Sequence, residues 1–310
     1  MKLKKLLKNW KNKSRITKTF VWFAAILLLL VILTTLPNIH TAFGFERAQV
    51  ILAQSSTCRR ARTGDPRDPS LANIPYLISP RHTLLLTNKP KLRWNSALGV
   101  KQYTASLVKG DKTIWQTTLD QHEIIYPGEP KLEAGAEYLL IIKADNGKSS
   151  QDEEASQQWF RFLPTAEVGI VKATLNNKQL TDKNKALASA YIYSGFGLKA
   201  EAIDTLEKIK DSGIKKAVLY KKLAELYWET GVYLEAEINY LQAVKLAIAA
   251  RDIPEQAQIS AALGELYVEI GDEKEAIKWF NQARDSHKTL GNTQRIKELD
   301  AEIEELKSSL

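Results

Sequence analysis

One pattern constrains this chain more than any other: a tyrosine, a glycine, an alanine and a large apolar residue return at fixed spacing along its second half. Tyr193, Gly197, Ala202 and Leu206 recur 34 residues later as Tyr227, Gly231, Ala236 and Tyr240. Those recur 40 residues later as Tyr267, Gly271, Ala276 and Phe280. Ile209, Ala243 and Ala283 keep the same step, and Leu223-Ala224 and Leu263-Gly264 precede the second and third tyrosines. Self-similarity at this period belongs to stacked supersecondary units. A glycine after the tyrosine accepts the positive φ that ends a helix. Small residues at Ala224, Gly264, Ala202, Ala236 and Ala276 let two helices of a hairpin approach closely. The aromatics fill the space between hairpins. Such a hairpin cannot bury both faces alone, so its copies must stack.

The pattern resembles the tetratricopeptide repeat: a Leu and a small residue, a Tyr, a turn Gly, then Ala-x-x-x-aromatic and a further Ala. The first unit departs from it, with Ser189 and Ala190 where Leu and Gly are usual and Leu206 in place of the aromatic. The second carries an extension near Ala247–Asp252, expected to lengthen its second helix before Pro254. Residues 292–307 read as an amphipathic helix with Ile296, Leu299, Ile303 and Leu306 on one side, suited to a solubilising cap. The resemblance implies an all-α superhelix over 165–310 that binds a protein or peptide in a groove lined by the first helix of each hairpin. Carried over position by position, that groove comprises Leu187 and Tyr191, then Val218, Lys221, Glu225 and Trp228, then Gln258, Ala261, Glu265 and Val268. Trp228 is either a partner anchor or a packing residue between units. A carboxylate-clamping subtype needs Lys and Asn in this groove. Lys221 stands alone and Glu225 and Glu265 repel carboxylates, so an apolar or basic segment is the expected ligand.

Residues 81–164 change period. Seven short runs rich in β-branched and aromatic residues alternate with turn residues such as Gly110-Asp111 and Asp145-Asn146-Gly147. Tyr103, Ala105 and Leu107 alternate with Thr104, Ser106 and Val108, as a strand with one buried face requires. The pattern Pro90-x-Leu92-x-Trp94, Tyr103, Tyr126-Pro127 and Leu132-x-x-Gly135-x-x-Tyr138 resembles a fibronectin type III domain. The resemblance implies an all-β sandwich that serves as a spacer, with Trp94 and Tyr138 in its core. Trp94, Trp115 and Trp159 are expected in that core. The alternative is a cell-wall or carbohydrate-binding envelope protein that stacks sugars on aromatics of the β domain.

The net charge of +8 suggests nucleic acid until the charges are located. Residues 1–19 hold eight cations, from Lys2 to Lys18, and no acid; the rest of the chain is balanced, so no basic stripe marks a folded domain and no nucleic-acid partner is expected. The cations precede Phe20–Leu36, an apolar run; residues 20–40 are read as a transmembrane helix. A cationic flank keeps the N-terminus cytoplasmic and sends the bulk across the membrane. The long basic region and long apolar run favour an uncleaved anchor. Secretion after cleavage, near Ala42-Phe43-Gly44 or Ala53, is the alternative. Residues 45–80 read as a Pro- and Arg-rich linker, with Arg59, Arg60 and Arg62 beside the single cysteine, Cys58. The fold class is therefore multi-domain: transmembrane helix, all-β sandwich, all-α array.

No pattern points to catalysis. His40, His82, His122 and His287 lack metal-ligand spacing, and no cofactor or metal is expected. Gly195-Phe196-Gly197 lacks the preceding strand and third glycine of a dinucleotide site. The expectation is a non-enzymatic, membrane-anchored interaction scaffold.

Overall fold

The computed structural model describes residues 72–152, 158–176 and 182–310, all within one compact unit that spans Arg59–Leu310. The basic tail, the apolar run 20–40, Cys58 and most of the linker lie outside the described residues. No helix among those described is long and apolar enough to cross a membrane.

Eight strands come first: β1 Leu77–Ser79, β2 Thr83–Leu85, β3 Lys91–Trp94, β4 Tyr103–Lys109, β5 Lys112–Leu119, β6 Glu123–Ile125, β7 Glu137–Ala144 and β8 Trp159–Phe162. They form a three-stranded sheet in the order β1-β3-β6 and a five-stranded sheet in the order β2-β8-β7-β4-β5. All pairings are antiparallel except β2 with β8. The expected alternation holds in β4, where Tyr103, Ala105 and Leu107 are buried. Leu92, Trp94, Tyr138, Ile142 and Phe160 complete the core. Trp94 is fully buried with its ring edge-on to Tyr103, and Tyr138 stacks on Phe160. The sheet begins earlier than the sequence indicated: β1 falls inside the stretch read as linker. Its apolar Leu77 pairs with Trp94 although Pro75 and Pro80 flank it, because a three-residue strand fits between them.

Eight helices follow: α1 Thr165–Leu175, α2 Asp182–Gly195, α3 Lys199–Asp211, α4 Ala217–Glu229, α5 Tyr233–Ala249, α6 Ile253–Glu269, α7 Glu273–Thr289 and α8 Thr293–Ser308. The turn glycines behave as the repeat demands. Gly197, Gly231 and Gly271 have φ of 73°, 77° and 74°. Each is followed by a residue whose N–H donates to the repeat tyrosine's carbonyl: Leu198 to Tyr193, Val232 to Tyr227, Asp272 to Tyr267. The extension does lengthen α5, which runs 17 residues against 13 in α3. Gly264 is obligatory for packing: a β-carbon there would sit 2.4 Å from the Phe280 ring.

The array's last helices share a second repeat unnoticed in the sequence. Arg251-Asp252, Gly271-Asp272 and Gly291-Asn292 fall at 20-residue intervals. Each first member has positive φ, and each second member caps a helix through its side chain, accepting from the N–H of Glu255, Glu275 or Arg295. The chain therefore enters α8 as it enters another hairpin, and α8 continues the stack.

The sandwich is not a detached spacer. Ala200 at the start of α3 belongs to the sandwich core, and Tyr76 to the core of the array. The Leu84 N–H donates to the Gly197 carbonyl at 3.0 Å, and the Leu86 N–H donates to Glu201 at 2.5 Å. Arg93 of β3 forms ion pairs with Glu207 and, at 3.7 Å, with Asp204 of α3. The Tyr227 hydroxyl donates to the same Glu207, at 2.5 Å, and so carries the joint into α4. Arg81 packs against the turn glycine Gly231. A sandwich–helix contact of this kind has no periodic signature, which is why the sequence suggested separation.

Candidate functional site

The first helices of successive hairpins, α4 and α6, touch along one face of the array, and α8 takes the next place. Lys221 on α4 reaches Glu255 at 2.9 Å and Gln258 at 3.0 Å on α6. Between α6, the end of α7 and the start of α8 lies a cavity of about 510 Å³. Gln258, Ala261 and Glu265 line it from α6, His287 from α7, and Arg295 and Glu298 from α8.

Three of the expected groove residues, Gln258, Ala261 and Glu265, thus meet in this cavity. The other expected positions are distributed along the face. Leu187 and Val268 are half-buried and pack on the array's core. Tyr191 is 43% exposed, with the Lys222 ammonium 5.6 Å from its ring centre. Val218 is half-buried. Lys221 is held by Glu255 and Gln258, and Glu225 pairs with Lys222 at 3.1 Å. Trp228 is occupied within the fold: its indole N–H donates to Glu269, and its ring stands edge-on to Tyr240 at 6.3 Å. The Tyr233 hydroxyl donates to the same Glu269 at 2.8 Å. Of the two roles open to Trp228, this geometry describes packing between units.

Sequence reasoning missed the α8 contribution. It read this helix as a solubilising cap, yet Arg295 points back to the array and is shared by Glu298 at 3.0 Å, Glu302 at 3.2 Å and Glu265 at 3.8 Å. The available signal was Arg295, Glu298 and Glu302 at helical spacing, following an Asn cap that repeats Asp252 and Asp272. Partial desolvation by the surrounding helices pushes the Glu265 carboxyl above its ordinary range and Glu302 adds to this, while Arg295 opposes it, although half of the side chain stays exposed. Burial, with help from Arg295 and against Glu298, lowers His287.

Of the three sandwich tryptophans expected in the core, Trp159 is half-buried and lies outside the core cluster. Trp94 is fully buried, Trp115 packs edge-on to Tyr126, and Trp159 lies between His82 and Arg161. Among the described residues, no group of three His, Cys, Asp or Glu side chains is placed to hold a metal ion.

Residues 216–289 match the tetratricopeptide repeat family. No curated protein matches the chain. Similar solved structures include the MamA protein, with 20% identity over 45% of this chain and 72% of that one and a TM-score of 0.32. BtubC from P. vanneervenii shows 15% identity over 46% of this chain and 72% of that one, TM-score 0.31. The TPR-like repeats of a putative kinesin light chain from Podosopora anserina show 16% identity over 46% of this chain and 84% of that one, TM-score 0.31.

Proposed function

We propose that this protein is a non-enzymatic scaffold, anchored in a membrane by its N-terminal apolar run, whose α4–α6–α8 face binds another protein on the exported side. The observation that carries this reading is that face: α4 and α6, first helices within the matched repeats, are linked along it by Lys221, and α6, the end of α7 and the start of α8 line a cavity open to a partner's side chain. Tetratricopeptide repeats generally bind protein partners. The eight cations ahead of the apolar run support the orientation.

We read the sandwich as fibronectin type III-like. The order β1-β3-β6 against β2-β8-β7-β4-β5 supports this, as does Trp94 in the core. The Glu133 N–H donates to the Tyr138 hydroxyl at 2.7 Å, which ties the start of β7 to the segment before it as a tyrosine corner does. Its role is that of an N-terminal cap on the repeat stack, which would otherwise end on an apolar face.

Affinity capture with the full chain tests the binding reading. Partner recovery should fall when Tyr191→Ala and Glu265→Lys are combined and persist with Ile238→Ala, an exposed change on α5. Undiminished recovery with the combined variant contradicts it. Labelling of Cys58 by a membrane-impermeant maleimide in spheroplasts tests the orientation: labelling before lysis is expected, and protection until lysis contradicts it.

A further inference from the structure

Charge along the binding face narrows the chemistry of what it takes. Burial, with the negative charges of Glu225, Glu265 and Glu229 on α4 and α6, pushes the Tyr240 phenol up. Along α4 the charges are balanced in pairs: Lys221 with Glu255 at 2.9 Å, Lys222 with Glu225 at 3.1 Å and Lys199 with Glu229 at 3.1 Å. At the α8 end, one guanidinium serves three carboxylates, because Arg295 is shared by Glu298, Glu302 and Glu265. Glu265 and Glu298, with side chains 51% and 43% exposed, stand on the cavity walls and remain within reach of a ligand. The rest of the lining adds hydrogen-bonding groups rather than further cations. Gln258, Asn292 and Gln294 line the cavity, as does His287, whose Nδ1 is buried without a hydrogen-bond partner.

We propose that this face takes a lysine- or arginine-rich segment of a partner protein, with one cationic side chain entering the cavity between α6 and α8. The proposal rests on the reading of this face as partner-binding and adds the partner's chemistry. An entering ammonium or guanidinium supplies the positive charge that Glu265 and Glu298 share only in part with Arg295. An acidic segment meets the same carboxylates and is repelled, which is how surface charge selects among partners.

Fluorescence anisotropy of labelled peptides added to the full chain in detergent micelles tests this. A peptide of alternating Arg and Leu should bind, and more weakly as salt rises. A peptide of alternating Glu and Leu should not. Glu265→Gln with Glu298→Gln should weaken the basic peptide by about 3-fold per carboxylate, the scale of partly exposed ion pairs. Glu133→Gln with Glu137→Gln, the same charge change on the sandwich, should leave binding intact. Equal weakening by both pairs, or equal binding of both peptides, overturns the proposal. A concentration-dependent self-association abolished by changing Arg59, Arg60 and Arg62 to Gln would place a second copy on the face and overturn the assignment to another protein. Should the basic peptide fail while a cross-linker at Tyr191 still captures a partner, the charge assignment falls and the binding face stands. Should both fail, the binding face falls as well.

Discussion

Where α6 meets α7, Gly264 lies so close to Phe280 that no β-carbon fits, and both helices feed the array's hydrophobic core. Where β3 meets α3, Arg93 stands among Glu207, Asp204 and the Tyr227 hydroxyl, and Glu201 accepts from the end of β2. The first joint is held by shape. The second combines apolar contact, with Leu84 and Leu86 packed in one cluster with Leu198, and buried charge, which is sensitive to the loss of a partner and to protons. Acids outnumber the cations buried with them at this second joint. Burial pushes Asp204 up, with Arg93 opposing, and pushes Glu235 up, with Glu207 adding; Glu207 alone is held below its ordinary range, because Arg93, Tyr227 and Lys210 outweigh its burial.

This contrast can be broken first at Arg93. Removing one member of a largely buried pair strands the others, so Arg93→Ala should cost about 3–5 kcal/mol. In urea, helical circular dichroism and the tryptophan fluorescence of a Trp228→Phe, Trp279→Phe background, whose described tryptophans are those of the sandwich, should then report separate transitions, since the sandwich would uncouple from the array. Coincident transitions with little loss would mean that the charges do not hold the joint.

Protons provide the next test. Burial pushes Glu201 up to about 7, although the N–H groups of Leu86, Glu201 itself and Thr87 oppose it. A carboxyl with a raised folded pKa binds its proton more tightly in the folded state. Its contribution is therefore greatest in acid and falls as pH rises from the ordinary carboxylate value to about 7. The change over that window amounts to roughly 3 kcal/mol. Glu201→Gln, which can still accept from Leu86, should flatten this part of the stability–pH curve. Parallel curves for the two proteins would remove Glu201 from the account.

Gly264→Ala probes the apolar joint. Helix propensity favours alanine by about 1 kcal/mol. A β-carbon 2.4 Å from the Phe280 ring should outweigh this and leave a net loss of about 1–3 kcal/mol. The loss should shrink in a Phe280→Leu background, as expected for residues in contact. A stabilising Gly264→Ala would show that the helices can part without cost. The smallest effect is expected from Asp272→Ala, which removes the α7 cap and should lower stability by about 1 kcal/mol in urea denaturation.

The two joints were not equally legible in the sequence. Tyr227, Gly231, Ala236 and Tyr240 could be read because each repeat meets its neighbour through the same few positions, and the recurrence is printed in the chain. The β4 core could be read because Tyr103, Ala105 and Leu107 alternate with polar residues. Arg93 and Glu207 could not, being 114 residues apart with no local pattern to link them. The binding face was legible in part. The resemblance to the repeat named Gln258, Ala261 and Glu265 as groove positions, but Arg295 and Glu298 were hidden in a charged helix that looks like a solvated end. The two roles of Trp228 stayed open in the sequence because its partner, Glu269, is supplied by the next repeat.

The central claim is that the α4–α6–α8 face holds a partner protein. A photo-reactive phenylalanine analogue placed at Tyr191 or Val218, and in parallel at Ile238 on α5, tests it in cells making the full chain. The account predicts a discrete cross-linked species from the first two positions that is lost with Glu265→Lys, and none from Ile238. Cross-links from Ile238 alone, or cross-links at Tyr191 and Val218 that survive Glu265→Lys unchanged, would contradict it.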